Sequence, residues 1–267
     1  MKVQIKLSSN NSIEEKILRK STALITGATG GIGYATAIKL SKLGIKVVLI
    51  SRNQQRLNEI QEEIQMMGGS AECIVIDFSK QNSVMELMNE VKSRKIVPQI
   101  LINSLGGVFE SKDWSDEIVY RNIYRLNTEV AIELTNKMFP IMSDFGWGRI
   151  IHFGSLSTKT GINSLPYVVA KSALISFVKF AANRFALMDS KVVITAIAPG
   201  PISIPGKYLN RIESESPEIL LNWLSENKIP AMRLLTIDEV VNLIVFLISE
   251  NGDYMNGSVI EIDGGAI

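Results

Sequence analysis

The sequence predicts an α/β domain built on one seven-stranded parallel sheet, doubly wound and covered by helices on both faces. Three observations point there. From Thr22 onward, short β-branched runs alternate with longer amphipathic stretches. Several of the runs are apolar throughout, as strands are when both faces are buried. The first run also passes through a glycine-rich turn straight into a helical stretch.

Strands are predicted at 23–26, 46–50, 71–76, 100–103, 149–154, 192–198 and 258–262, each a short run rich in Val, Ile and Leu. Between them, apolar residues recur at helical spacing over 32–43, 54–67, 83–94, 115–142, 167–187 and 238–249. Thr236 and Glu239 have the spacing of a capping box, which fixes the start of the last helix. No linker or fixed-period repeat interrupts the alternation, so residues 22–267 are expected to form one domain.

Two segments fall outside the scheme. In the extension 1–21, Val3, Ile5 and Leu7 alternate with polar residues and predict an extra edge strand. The segment 203–235, with a helical pattern at 217–225, is long for a connection and is expected to be a substrate lid.

Composition narrows the function classes. The 267 residues carry 28 basic and 27 acidic side chains, so no global field would draw nucleic acid or an anionic membrane. The N-terminus lacks a secretory apolar stretch, and no window approaches the roughly 18 uninterrupted apolar residues of a membrane span. Cys73, the one cysteine, cannot form an intrachain disulfide and is expected to be an inert thiol on a buried strand. A soluble cytoplasmic protein is expected. His152, the one histidine, provides neither a metal cluster nor a hydrolase triad and reads as a hydrogen-bonded core residue.

The turn after the first strand reads Gly27-Ala28-Thr29-Gly30-Gly31-Ile32-Gly33. Glycines let the backbone approach a pyrophosphate closely, and amide groups at a helix N-terminus meet its charge. The spacing differs from G-x-G-x-x-G, and no Lys-Ser/Thr pair of a nucleotide-triphosphate loop follows, which favours a dinucleotide. A tight strand-to-helix turn without ligand is the alternative. The second strand ends in Ser51-Arg52-Asn53, with no acid to bind the adenosine ribose hydroxyls. An arginine there suits a 2′-phosphate, so NADP(H) is favoured over NAD(H).

Tyr167 and Lys171 are four residues apart on an apolar helix and therefore share a face. Free tyrosine titrates near ~10, so acid-base work at neutral pH needs about 4 kcal/mol of preferential stabilisation of the phenolate. A nearby ammonium and an oxidised nicotinamide ring could jointly supply it.

With Asn127 and Ser155 in the same order, these residues and the glycine turn resemble the short-chain dehydrogenase/reductase family from about Thr22 to the C-terminus. Supporting positions are Asp77, Asn103, Gly106, Pro199-Gly200 and Asp263-Gly264-Gly265. The resemblance implies a Rossmann-type fold and a catalytic set of Asn127, Ser155, Tyr167 and Lys171. Tyr167 would exchange a proton with the substrate oxygen, Lys171 would bind the nicotinamide ribose and lower the phenol's pKa, and Ser155 would hydrogen-bond the carbonyl. Asn127 would sit at a helix kink and hold a water relay. Asp77, next to Phe78, would contact adenine, Asn103 and Gly106 would line the adenosine ribose, and the backbone from Pro199-Gly200 to Ile202 would meet the carboxamide.

The chain departs from the family pattern in three places. The usual Asn-Asn-Ala-Gly reads Asn103-Ser104-Leu105-Gly106. Ser155 precedes Tyr167 by one residue fewer than usual, with Ser157 as a competing hydroxyl, although the preceding Gly154 and strand favour Ser155. Position 204 is Ile204 where the family often has a threonine, and Ser203 could replace it through a shifted loop.

The reading is an NADP(H)-dependent carbonyl reductase or alcohol dehydrogenase similar to 3-oxoacyl carrier-protein reductases, with a small-molecule substrate and no metal. The family alternative is an NAD-dependent sugar or polyol dehydrogenase, and a non-catalytic dinucleotide sensor is the alternative outside it. The candidate substrate wall is Gly107, Val108, Phe109, Leu156, Leu165 and the lid, with Lys207, Tyr208 and Arg211 as polar contacts. Homo-oligomerisation, as a tetramer or dimer, is implied through the helices of Asn127 and Tyr167 and the last strand.

Overall fold

The computed structural model describes residues 20–107, 116–188 and 190–266. The predicted edge strand at Val3, Ile5 and Leu7 and the wall residues Val108 and Phe109 lie outside them. The seven predicted strands are all present: β1 (Thr22–Thr26), β2 (Lys46–Ser51), β3 (Ala71–Val75), β4 (Ile100–Asn103), β5 (Gly148–Phe153), β6 (Val192–Pro199) and β7 (Val259–Ile262). They form one parallel sheet in the order β3-β2-β1-β4-β5-β6-β7. The chain runs outward from β1 to β3, then returns to β4 on the other side of β1. That reversal opens a crevice at the carboxyl ends of β1 and β4, where ligands bind in such sheets.

The helices are α1 (Gly31–Lys42), α2 (Gln54–Met66), α3 (Ser83–Ser93), α4 (Glu117–Tyr124), α5 (Val130–Phe145), α6 (Ser157–Thr160), α7 (Leu165–Leu187), α8 (Tyr208–Glu215), α9 (Pro217–Glu226) and α10 (Ile237–Ile248). Strand residues alternate between two cores because successive side chains point to opposite faces. Leu24, Val48, Leu101, Ile150 and Ile194 join Leu87, Leu134, Met138 and Val178 on one face. Ala23, Ile25, Leu49, Ile102 and Ile151 join Leu40, Leu57, Ile60 and Ile244 on the other. α10 starts at the predicted capping box, with Thr236 and Glu239 bonded reciprocally.

Three expectations change. The helix predicted at 115–142 is two helices, α4 and α5, joined by one π-turn at Arg125–Glu129. A π-turn inserts one residue, which a 3.6-residue pattern cannot register. Second, β3 is the edge of the sheet rather than a buried strand, with Val75 exposed and Cys73 half-buried. The Cys73 thiol still donates to Leu57 O at 3.3 Å, and burial raises its pKa, which keeps it unreactive. Third, the segment 203–235 contains a second helix, α8, that the sequence reading left unassigned. It packs through Ile212 with Leu220 and Leu224 of α9, Ile229 and Leu234.

Among the described residues, only α7 is long and apolar enough by composition to cross a membrane. Here it is a core helix. Ala170, Lys171, Leu174, Val178, Ala182 and Phe185 are buried along it, and Phe185 stacks on Phe139 of α5 at 3.8 Å.

Candidate active site

The crevice begins at the glycine turn. Gly27 has φ of 66°, and a Cβ there would lie 2.8 Å from Ser104 O. A Cβ on Gly33 would lie 2.4 Å from Gly27 O and 2.7 Å from Ser104 Oγ. Side chains at either position would push the turn away from the β4 loop, so both glycines are required by packing of β1, α1 and β4. Ile204 Cγ2 would come within 2.6 Å of a Cβ on Gly31, which seats the base of the 203–235 segment on the turn.

A cavity of about 830 Å³ opens over this turn. Gly27, Thr29, Gly30, Ser51, Arg52, Asp77, Phe78 and Gly106 line it, as the sequence reading placed them, and so do Ser104, Leu105 and Arg125, which that reading did not assign. Thr29 Oγ1 and Ser51 Oγ share a 2.8 Å hydrogen bond that joins the turn to the end of β2. Arg52 is exposed and makes no ion pair among the described residues. Asp77 Oδ1 accepts from Ser79 N and Oγ, and those bonds hold its carboxyl below the usual range.

Asn103 is placed differently from expectation. It is buried, and its side chain accepts from Thr26 Oγ1 at 3.4 Å and donates to His152 Nδ1 at 3.2 Å, so it supports the crevice floor instead of lining it. Thr135 Oγ1 donates to Ala131 O and therefore accepts from His152 Nε2, 3.0 Å away. This network fixes the Nε2–H tautomer and identifies His152 as the expected hydrogen-bonded core residue. Burial and the Lys171 charge depress its pKa to about 3.

The catalytic candidates converge on the far side of the crevice. Ser155 follows β5, whose extension is held by the Gly154 N to Ile197 O and Leu156 N to Pro199 O bonds. Tyr167 and Lys171 share one face of α7, and Lys171 Nζ lies 5.7 Å from the Tyr167 ring centroid. Asn127, in the π-turn, is 1% exposed. Its amide donates to Gly107 O and Ile123 O at 3.0 Å and accepts from Gly107 N at 3.1 Å. Thr128 Oγ1 donates to Ala170 O at 2.6 Å, fastening the π-turn to α7. A Cβ on Gly106, whose φ is 131°, would meet Asn127 Oδ1 at 2.4 Å and Lys171 Nζ at 3.5 Å. Asn127 and Lys171 thus both border Gly106.

Lys171 Nζ donates to Phe153 O at 2.7 Å, and burial lowers its pKa to about 7. Burial raises the Tyr167 pKa, with a partial offset from Ser155. Burial thus favours the neutral phenol at Tyr167, the form that carries a proton to give.

The remaining positions divide. Ile32 and Gly33 open α1 beneath the turn. Gly200 is pressed against Asp263, whose Cα would be 2.9 Å from a Cβ there, and Ile202 bridges to Leu235. Pro199 ends β6. Leu156 is buried in the α8–α9 cluster and packs there, so it is not a free wall residue. Leu165 and Tyr208 are exposed, and Lys207 and Arg211 lie beside Tyr208 at the start of α8. Ser203 Oγ donates to Glu213 and accepts from Asn210, which holds its hydroxyl within the segment. No cluster of metal-ligating side chains occurs among the described residues.

The chain matches, over residues 27–266, the family model described as enoyl-(acyl carrier protein) reductase. It is a short-chain dehydrogenase/reductase. It is 28% identical over 257 residues to the 3-oxoacyl-(acyl-carrier-protein) reductase of Buchnera aphidicola subsp. Schizaphis graminum (strain Sg), covering 93% of this chain and 98% of that protein. It is 30% identical to 2-dehydro-3-deoxy-D-gluconate 5-dehydrogenase of Bacillus subtilis (strain 168), covering 93% and 95%. The L-sorbose reductase of Gluconobacter frateurii, solved with NADPH and L-sorbose, superimposes with TM-score 0.82 at 27% identity, covering 92% and 96%. This member of the family is an NAD(P)-dependent oxidoreductase that interconverts carbonyl and alcohol groups of a small-molecule substrate.

Proposed function

We propose that this dehydrogenase/reductase uses NADPH to reduce a carbonyl, with Tyr167 as the proton donor. The convergence of Ser155, Tyr167, Lys171 and Asn127 at one end of the crevice carries the reading. The glycine turn, with Gly27, Thr29 and Gly30 lining the cavity where α1 begins, fits a pyrophosphate. Asp77, Phe78 and Gly106 would flank adenosine, Lys171 would hold the nicotinamide ribose, and the chain from Pro199 to Ile202 would meet the carboxamide. NADPH, when bound, supplies the hydride. Tyr167 delivers a proton to the substrate oxygen, while Ser155 donates a hydrogen bond to that oxygen as negative charge grows. The buried Lys171 and Asn127 keep the proton path behind the phenol polar and ordered. The residues 203–235 act as the lid over the substrate.

NADPH is favoured over NADH because Arg52 makes no ion pair among the described residues and Ser51-Arg52-Asn53 places no acid at the end of β2 to repel a 2′-phosphate. The unpaired Cys73 suits a reducing, cytoplasmic compartment. Phe180 and Leu187, 75% and 73% exposed on α7, fit a homo-oligomeric interface of two or four copies.

The test is turnover of NADPH with acetoacetyl-coenzyme A, L-sorbose and a 7-oxosteroid. Carbonyl-dependent NADPH oxidation by the wild type, lost in Tyr167→Phe, is expected. Tight NADPH binding with no turnover of any carbonyl would favour the sensor, and a preference for NADH with sugars would favour the sugar dehydrogenase.

A further inference from the structure

The Ser155 hydroxyl, assigned above to the substrate oxygen, already has a directed proton. It donates to Ser157 Oγ at 2.9 Å, and its oxygen accepts from Ser157 N–H at 3.1 Å. Ser157 Oγ receives a second donor, Asn163 Nδ2, at 2.5 Å. Two donors fill both lone pairs of that hydroxyl, so its rotamer and its role as acceptor are fixed. Ser155 and Ser157 are both buried. Asn163, by contrast, is exposed and holds φ of 99°, a region that residues with a side chain enter only when their surroundings impose it. It lies in the short connection between α6 and α7, so its amide ties the start of the tyrosine helix to the serine turn.

We propose that Asn163 and Ser157 are positioning residues that set the Ser155 hydroxyl. The proposal rests on the reductase reading above. A hydroxyl that accepts a hydrogen bond becomes a better donor, so Ser157 N–H strengthens the Ser155 proton for the substrate oxygen. The Asn163 amide shares Ser157 Oγ with that same proton, weakening its hold and letting the Ser155 hydroxyl turn its hydrogen bond to the substrate oxygen. Chain spacing gives a reason for the device. Ser155 stands one residue nearer Tyr167 than is usual in the family, and the left-handed Asn163 turns the chain within the shortened connection.

The test uses full-length enzyme, NADPH, and acetoacetyl-coenzyme A or L-sorbose, whichever is turned over. Asn163→Gly relieves the positive φ, so thermal stability should be unchanged or raised. Loss of the amide should nevertheless lower kcat about tenfold, with KM for NADPH unchanged. Asn163→Asp keeps the size but replaces a donor with an acceptor, and should not restore kcat. Ser157→Ala should match the loss, and adding Asn163→Gly to it should cost nothing more, because the relay is already cut. Wild-type kcat in Asn163→Gly, or independent losses that multiply in the double variant, would overturn the relay. Ser155→Ala as active as the wild type would overturn the reductase roles, and the relay with them, a result distinguishable from failure of Asn163 alone.

Discussion

At the scale of single residues, the site is governed by which polar groups are buried and what they touch. Tyr167 is the proton donor of the proposed reaction, so Tyr167→Phe should reduce kcat by about 10³-fold while leaving NADPH affinity near wild type, measured by turnover and by cofactor fluorescence. Arg52→Ala should raise KM for NADPH by about tenfold or more and barely change KM for NADH, since only NADPH carries the phosphate that the guanidinium would meet. Equal changes for the two cofactors would refute that role. His152 makes a prediction about stability. Its folded pKa, about 3, lies below the ordinary imidazole value. Above roughly pH 6.5 neither state binds the proton, so the full stability is present. As pH falls below that, the unfolded chain protonates first and stability is lost progressively toward pH 3, on the order of 1 kcal/mol per pH unit. Denaturant titrations of wild type and His152→Asn between pH 4 and 7 should give a flatter slope for the variant. Parallel slopes would show that His152 is not held neutral.

At the scale of elements, the π-turn connects the cofactor crevice to the proton-transfer helix. Asn127 closes the Gly107 backbone and the Ile123 carbonyl, and Thr128 fastens the same turn to Ala170. Asn127→Leu would leave the buried Ile123 carbonyl without this donor, at about 1–3 kcal/mol, and free the Gly107 backbone. A lowered unfolding midpoint accompanied by a fall in kcat is expected. A stability loss with kcat intact would mean that the turn only supports the fold. The apolar period of residues 115–142 announced a helix there, but the extra residue was invisible because a single insertion shifts the hydrophobic face without removing it. The short α6 and α8 were illegible for a related reason. Each is too brief to show a repeating face, and their helical state comes from packing, as Ile212 of α8 does on Leu220 and Leu224.

At the scale of the whole molecule, the sheet order places the crevice where the chain reverses, at the carboxyl ends of β1 and β4. The apolar side chains left on α7 give a prediction of assembly. Phe180→Glu with Leu187→Glu should lower the sedimenting mass to that of a 29.5 kDa chain without lowering the thermal midpoint. An unchanged mass would remove α7 from the interface.

Sequence alone determined the alternation of strands and helices and the glycine turn, because periodicity and turn chemistry are local properties of the chain, while Ser155, Tyr167 and Lys171 stood out only through the resemblance to the family. It also showed that no acid follows β2. Tertiary structure alone decided that Asn103 bonds Thr26 and His152, that Leu156 packs with Ile212, Leu220 and Leu224, and that Ser157 joins Ser155 to Asn163. Each of these depends on where a side chain points after distant segments have packed together, and on how burial shifts proton affinity. Neither quantity is encoded in the neighbours along the chain.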